Sequence, residues 1–297
     1  MTNINTRPSP PWGRLAVEQY FITNWNPSST ETPDQQRKRL VAEFLDMECI
    51  PLEWTEDWDS LPTDVDRPRE PTTEEVDTIL RPYRSDQLRW HAMNIFHDQT
   101  SPVLLRTYYS TDEGETARHA ELMTRWVDPW DSEDWWAVLD NEDLFNFGSE
   151  WWCVYEVLPE LAGPISPEVD DEMRVPRAPR AESFKFLHSH LKTELAEVKE
   201  RDPEAWREAT DRGTILEDFA TALQKVATRT YLILADEEAF RSRSLRVLYL
   251  DGFRNIVREG RMDPVDDDVF NMIGIWMETN DFLQNSTVGE KYRASAE

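Results

Sequence analysis

The sequence is poor in cysteine, in glycine and in long apolar runs, and each shortage excludes a class of protein. Two cysteines, Cys49 and Cys153, are too few for a disulfide scaffold, so a reducing compartment is expected: the cytoplasm, or alternatively the nucleus. With nine glycines the chain has no glycine-rich phosphate loop, and its histidines lack metal-ligand spacing, so neither a cofactor nor a metal is predicted. No run approaches the roughly 18 apolar residues of a membrane span, and no membrane partner is expected.

Positive charge is also scarce. The chain has 59 acidic and 32 basic residues, which give a formal net charge of −27 over 297 residues. This balance argues against a nucleic-acid partner, because phosphate recognition needs a basic surface. It favours a basic protein or peptide as the partner.

One segment concentrates the acidic and aromatic residues. Between Trp126 and Met173 there is no Lys, Arg or His, but there are fourteen Asp and Glu residues and, with Trp126, six of the thirteen tryptophans. Carboxylates and indole rings together can bind basic side chains. The alternative is that the tryptophans form core and the carboxylates cover its solvated face. The predicted binding surface comprises Trp126, Trp130, Asp131, Glu133, Asp134, Trp135, Trp136, Asp140, Glu142, Asp143, Trp151 and Trp152.

A short basic segment follows the acidic one. Arg174, Arg177 and Arg180 recur every third residue between prolines, and a polyproline II helix would align them on one face. This basic ribbon could bind an external aromatic groove. Alternatively, it neutralises the neighbouring carboxylates of the same molecule.

Capping signals and apolar spacing predict helices along most of the chain. In the amino half, helix starts are predicted at Thr32, Thr72, Ser85 and Ser101. In the carboxy half, apolar residues at three- and four-residue spacing predict helices over 183–200, 203–212, 214–234 and 244–259, and from Asp263 onward.

The resulting prediction is an all-α protein, in which an irregular, tryptophan-rich helical N-terminal part packs on a C-terminal helical bundle. The predicted regions are an acidic helical region (1–163), a Pro/Arg linker (164–182), a helical bundle (183–284) and a polar tail (285–297). The alternative is one composite domain.

No motif specifies a reaction, so the sequence favours a non-catalytic interaction or regulatory protein that engages a basic partner through an acidic and aromatic surface. The alternative is an all-helical enzyme with a carboxylate-lined pocket between the two halves, which uses acid/base or magnesium-dependent chemistry. An exposed acidic and aromatic surface would favour the first function. Convergent carboxylates with shifted pKa values would favour the second.

Overall fold

The structure is a computed structural model. It describes residues 11–47, 50–55, 68–97, 103–127, 137–162, 196–211, 230–263 and 284–293, together with 189, 192, 193, 220, 221, 223, 224, 227 and 228. Among these residues, none of the helices combines the length and the apolar composition that crossing a bilayer requires.

The described chain contains both helices and strands. In chain order these are α1 (Ala16–Asn24), α2 (Pro33–Leu45), α3 (Leu52–Thr55), α4 (Thr73–Glu75), α5 (Asp86–His97), β1 (Val103–Arg106), α6 (Glu113–Val127), β2 (Ala137–Leu139), α7 (Glu142–Phe145), α8 (Val154–Val157), α9 (Pro203–Asp211), β3 (Thr230–Ala235), α10 (Glu237–Ser242), β4 (Leu245–Leu250), β5 (Ile256–Met262), β6 (Gln284–Val288) and α11 (Glu290–Arg293). A π-helical turn (Val76–Leu80) extends α4, and 3-10 turns (Trp151–Cys153 and Pro159–Ala162) flank α8.

The chain divides into two compact units. The first comprises Met1–Thr100 and Glu150–Asp170, and the second comprises Ser101–Ser149 and Asp171–Glu297. The predicted linker at 164–182 lies outside the described residues, so the domain boundaries derived from the sequence stay a prediction.

The first unit is helical where it is described. Helix α2 begins at a capping box, in which Thr32 and Gln35 each accept a hydrogen bond from the other's backbone N–H. Its buried apolar residues recur at three- and four-residue spacing, which matches the helical period: Leu40, Val41, Phe44 and Leu45.

Two buried ion pairs lie among the helices of the first unit. Arg89 Nε donates to Glu18 at 2.6 Å, and Arg84 Nη1 donates to Glu160 at 2.8 Å. All four side chains are at most 2% exposed. The Trp12 ring covers the Arg89 guanidinium, whose Cζ lies 3.5 Å from the ring centroid. These charges are therefore balanced inside the unit.

The second unit is built on a six-stranded mixed sheet with strand order β2-β1-β3-β4-β5-β6. Strands β2, β1 and β3 are mutually parallel, whereas β3 to β6 pair antiparallel. Both faces of the central strands are buried. On one face Leu104, Ile233 and Val247 form a core with Met123 and Trp126 of α6. The alternate residues, such as Leu105, Leu234 and Leu248, are buried as well.

The sheet contradicts the prediction of an all-α protein with a C-terminal helical bundle. Residues 244–259 form β4, a turn and the start of β5, and the apolar face predicted to end at Leu234 includes β3. Strands that are buried on both faces carry apolar residues at consecutive positions. A run such as Val247–Leu250 therefore satisfies a helical spacing of three or four as well as a strand.

Several predicted helix starts are confirmed. Thr32, Thr72 and Ser85 precede α2, α4 and α5, and Asp202 Oδ1 accepts a hydrogen bond from the first turn of α9 at 2.9 Å. The start predicted at Ser101 is wrong, because β1 begins at Val103. The helix predicted after Asp263 lies outside the described residues.

The buried pair between Arg89 and Glu18 can be tested by removing one charge. We expect Glu18→Gln to lower the free energy of unfolding by about 3–5 kcal/mol, because the charge of Arg89 loses its buried counter-charge. Asp77→Asn is the control, since Asp77 belongs to an exposed pair with Arg81 in the same unit and should change stability little. Urea unfolding measures both variants. Equal effects would contradict the role assigned to burial.

Candidate functional site

Three neighbouring strands of the second unit end at the same edge of the sheet. Strand β1 pairs in parallel with β2 on one side and with β3 on the other. The chain moves from β1 to β2 and later crosses back to β3, so the strand order reverses at β1. Ligands of open α/β sheets bind outside the carboxyl ends of strands at such a reversal. We call the segments that follow these strands, residues 107–115, 140–143 and 236–238, the carboxyl edge.

A helix begins at the carboxyl edge after each of the three strands, and each helix has its own cap. The side chains of Asp112, Asn141 and Asp236 accept hydrogen bonds from backbone N–H groups of α6, α7 and α10, at 2.9, 2.9 and 2.8 Å. Each first turn also contains two carboxylates, which the helix dipole favours: Glu113 and Glu115, Glu142 and Asp143, Glu237 and Glu238. Helix N-termini often bind phosphate, but here the chain's own carboxylates take that place.

Negative charge exceeds positive charge at the carboxyl edge. Four of its nine carboxylates pair with an arginine: Asp140 with Arg106 (3.3 Å), Glu115 with Arg118 (3.4 Å), Asp236 with Arg261 (2.8 Å) and Glu238 with Arg241. In the described part of the chain, no Lys, Arg or His nitrogen lies within 4.0 Å of the other five, which are Asp112, Glu113, Glu142, Asp143 and Glu237. The edge therefore carries a surplus of negative charge toward solvent.

The last residue of β1, Arg106, lies between aromatic rings and a carboxylate. Its Cζ is 4.3 Å from the ring centroid of Tyr109 and 5.1 Å from that of Phe240. Its Nε donates to the carbonyl oxygen of Tyr108 at 3.0 Å, and Nη1 donates to Asp140 at 3.3 Å. The arginine side chain is 9% exposed and that of Asp140 is 24% exposed. The edge thus already holds one guanidinium group, supplied by its own chain.

The tyrosine that stacks on this guanidinium stays protonated. Burial raises the pKa of Tyr109 well above its usual range, and the nearby carboxylate of Asp140 raises it further. The Tyr109 hydroxyl therefore remains a hydrogen-bond donor, and it donates to the carbonyl oxygen of Arg106 at 3.4 Å.

Two buried polar atoms near Arg106 have no hydrogen-bond partner among the residues that the structure describes. His119, in α6, is 6% exposed, stacks on Phe240 with ring centroids 4.1 Å apart, and leaves its Nδ1 unpaired. Thr107 is fully buried and leaves its Oγ1 unpaired, although its backbone N–H donates to Ala235 at 3.2 Å. Burial lowers the pKa of His119, and the charge of Arg106 lowers it further, so the imidazole is neutral near pH 7. Buried polar atoms without a hydrogen-bond partner are rare in native proteins.

The predicted binding surface is divided between the two units. Asp140, Glu142 and Asp143 belong to the carboxyl edge of the second unit. Glu142 and Asp143 are exposed, whereas the side chain of Asp140 is partly buried. Trp126 of the second unit and Trp151 of the first are 1% and 6% exposed, so both are core residues. The remaining predicted residues, apart from Trp152, lie outside the described residues: Trp130, Asp131, Glu133, Asp134, Trp135, Trp136, Arg174, Arg177 and Arg180.

Trp152 of the first unit is the one large apolar side chain in the described part of the chain that is clearly exposed, at 52%. The exposed Glu150 and Glu156 lie close to it in sequence, and its ring meets Trp151 edge-on at a centroid distance of 6.0 Å. Whether Trp152 belongs to a binding surface stays a prediction.

The site predicted from the sequence does not include the carboxylates that follow β1 and β3, nor Arg106, Tyr109 and His119. Of these, His119 was interpreted as an isolated histidine without a metal-ligand pattern. A signal for two of the three segments was present. The runs 137–143 and 232–238 both read as apolar residues, then an Asp or Asn cap, then two acids. Such a run is typical of a buried strand that leads into a helix.

Comparison with protein-family models, with curated proteins and with solved structures finds no match to this chain. Among the described residues, no group of three His, Cys, Asp or Glu side chains is arranged to hold a metal ion. The enzymatic alternative stays a prediction.

The buried imidazole at the edge gives the stability of the protein a pH dependence. The pKa of His119 is lower in the folded protein than its ordinary value of about 6.5, so below that value the unfolded state binds more protons. His119 therefore does not reduce the free energy of unfolding above about pH 6.5. As the pH falls below that value, the unfolded state gains a proton at His119 and the free energy of unfolding decreases.

Replacing His119 tests this dependence. We expect the wild type to lose more free energy of unfolding than His119→Phe between about pH 7.5 and about pH 5.5. Phenylalanine keeps a ring against Phe240 but cannot take up a proton. Urea unfolding at both pH values measures the difference. Parallel losses in the two proteins would show that His119 does not titrate in this way.

Proposed function

We propose that this chain is a non-catalytic interaction protein whose second unit binds a basic protein or peptide at the carboxyl edge. The observation that carries the proposal is the gathering of nine carboxylates at the ends of three adjacent parallel strands, five of them without a described cation. These carboxylates come from three segments that are far apart in sequence. Their convergence makes one acidic surface out of three helix starts.

The same geometry argues against an anionic ligand. Phosphate binding at the carboxyl end of an α/β sheet uses free backbone N–H groups and a positive helix end. Here Asp112, Asn141 and Asp236 bond to N–H groups of the three first turns. A phosphate would also meet the surplus of carboxylates, so a cationic partner is favoured electrostatically.

Aromatic surface lies beside the carboxylates. Tyr108 and Tyr109 directly follow β1, and both residues are half-buried. Phe147 is also half-buried, and the backbone N–H of its neighbour Gly148 donates to the carbonyl oxygen of Thr107 at 2.8 Å. This bond holds the loop after α7 against the end of β1. Basic side chains bind well to such a combination of rings and carboxylates.

Two triple variants, each of which lacks three carboxylates, test the proposal. The site variant combines Glu113→Gln, Glu142→Gln and Asp143→Asn, which are exposed first-turn carboxylates at the carboxyl edge. The control variant, in the first unit, combines Glu70→Gln, Glu74→Gln and Asp77→Asn, which are exposed as well. Each removes three charges from the same formal net charge of −27, so overall electrostatic attraction falls equally.

The probe is a fluorescent, acetylated peptide of about eight residues that alternates glycine and arginine, and fluorescence anisotropy measures its binding. We expect the site variant to bind about tenfold more weakly than the wild type at about 0.1 M salt, with a much smaller change in the control. Binding by the wild type should weaken steeply toward about 1 M salt as the charges are screened. Equal weakening in both triple variants would contradict the proposal, because it would mean that only net charge matters.

A further inference from the structure

We infer that residues 151–162, which we call the strap, form a latch on the first unit: they come off the helices that they pack on as one piece, while those helices stay folded. The strap joins the first unit only after the chain has passed through residues 101–149 of the second. Its last turn, Pro159–Ala162, packs on α2 and α5, and α8 packs on α2. The inference concerns the first unit alone and is independent of the proposed function.

The strap has only short stretches of secondary structure. It consists of the four-residue helix α8 between the 3-10 turns Trp151–Cys153 and Pro159–Ala162. The backbone N–H groups of Leu158 and Leu161 donate to carbonyl oxygens within the strap, at 2.7 and 3.2 Å. Helical segments of this length are not stable by themselves in water. The strap therefore keeps its conformation only while it packs on α2 and α5, and its parts should be released together.

Apolar side chains of the strap favour the closed state. Val154 and Leu158 are fully buried, and Trp151 and Tyr155 are 6% and 4% exposed. Removal of such side chains from water is the main force that stabilises a packed segment. Release of the strap exposes them again, so the closed state dominates unless another interaction opposes it.

The buried charge of Arg84 is that opposing interaction. Its Nη1 donates to both carboxylate oxygens of Glu160, at 2.8 and 3.0 Å, and the two side chains are 0% and 2% exposed. Its Nε and Nη2 are also buried, and neither has a hydrogen-bond partner among the residues that the structure describes. The attraction in a buried ion pair offsets the loss of hydration only when the remaining donors are bonded as well. Release of the strap returns these charges to water, so the pair lowers the cost of opening.

The second buried pair of this unit differs in its bonding. Arg89 Nε donates to Glu18 at 2.6 Å, and Nη2 donates to the carbonyl oxygen of Pro11 at 3.0 Å. Glu18 also accepts from the backbone N–H of Gly13 at 2.7 Å. The two pairs are similarly buried, so they differ in the bonds that surround them. We therefore assign the latch to the strap and not to the segment that Arg89 holds.

Hydrogen exchange followed by mass spectrometry tests the latch in the wild-type chain. We expect fragments over the strap to exchange at least about tenfold faster than fragments over α2, because the strap amides exchange through a local opening that leaves α2 folded. Equal protection of the strap and α2 would overturn the inference, since both would then exchange only when the whole unit unfolds.

A variant of Glu160 tests whether the strap opens as one piece. Glu160→Gln leaves Arg84 without a counter-charge in the closed state, so exchange over the entire strap should rise roughly a hundredfold, including the turn Trp151–Cys153 at its far end. Glu156→Gln is the control, because Glu156 lies in the same segment in an exposed pair with Lys38 and should leave exchange almost unchanged. Acceleration confined to the last turn, or equal in the two variants, would overturn the latch.

An apolar replacement of the pair tests the part assigned to charge. The double variant Arg84→Met with Glu160→Leu removes both charges and keeps side chains that can pack, so strap exchange should become about tenfold slower than in the wild type. It also decides the matter if Glu160→Gln does not fold, which circular dichroism establishes. Exchange as fast as in the wild type, or faster, would mean that the pair holds the strap closed and would overturn the inference.

Discussion

The parallel pairing of β1 with both β2 and β3 is the constraint on which the candidate site depends. Parallel strands end at the same edge of a sheet, so the hydrogen-bond ladders of β1 bring together three segments that are separated by up to about 130 residues in sequence. If β1 paired antiparallel with either neighbour, the acids that follow that neighbour would lie at the opposite edge. The burial of both sheet faces fixes this arrangement, because each of these strands contributes core residues.

The two units differ in how far their charges are paired. In the first unit the buried charges of Arg84 and Arg89 are matched by Glu160 and Glu18, so they are balanced within the fold. At the carboxyl edge of the second unit, carboxylates serve first as helix caps and first-turn acids, which stabilises the helices through their dipoles. The same carboxylates leave a surplus of negative charge toward solvent. Helix capping and the proposed partner binding therefore rely on the same set of residues.

Local signals in the sequence were sufficient for several of the helix starts but not for the sheet. The side chains of Thr32 and Thr72 cap the helices that follow them, and capping depends only on residues within one turn. The strands were missed because apolar runs buried on both faces, such as Leu245–Leu250, have no alternation that separates them from a buried helix.

The candidate site was predicted in part. Asp140, Glu142 and Asp143 were chosen because they lie in the acidic segment, and they lie at the carboxyl edge, where Glu142 and Asp143 are exposed. Trp126 and Trp151 were chosen for the same reason and are core, because large rings gain most from burial. Arg106 and His119 could not be chosen from sequence alone. Their neighbours, Phe240 above all, are brought to them only by the pairing of β1 with β3.

The most direct test of the central claim is to map where a basic peptide contacts the protein. Amide chemical shifts of the uniformly labelled chain can be followed by transverse-relaxation-optimised NMR during titration with the glycine–arginine peptide. The account predicts that the largest shifts cluster in residues 107–115, 140–143 and 236–238, in all three segments at once. Shifts concentrated in the helices of the first unit, or confined to one of the three segments, would contradict a binding surface assembled by the parallel strands.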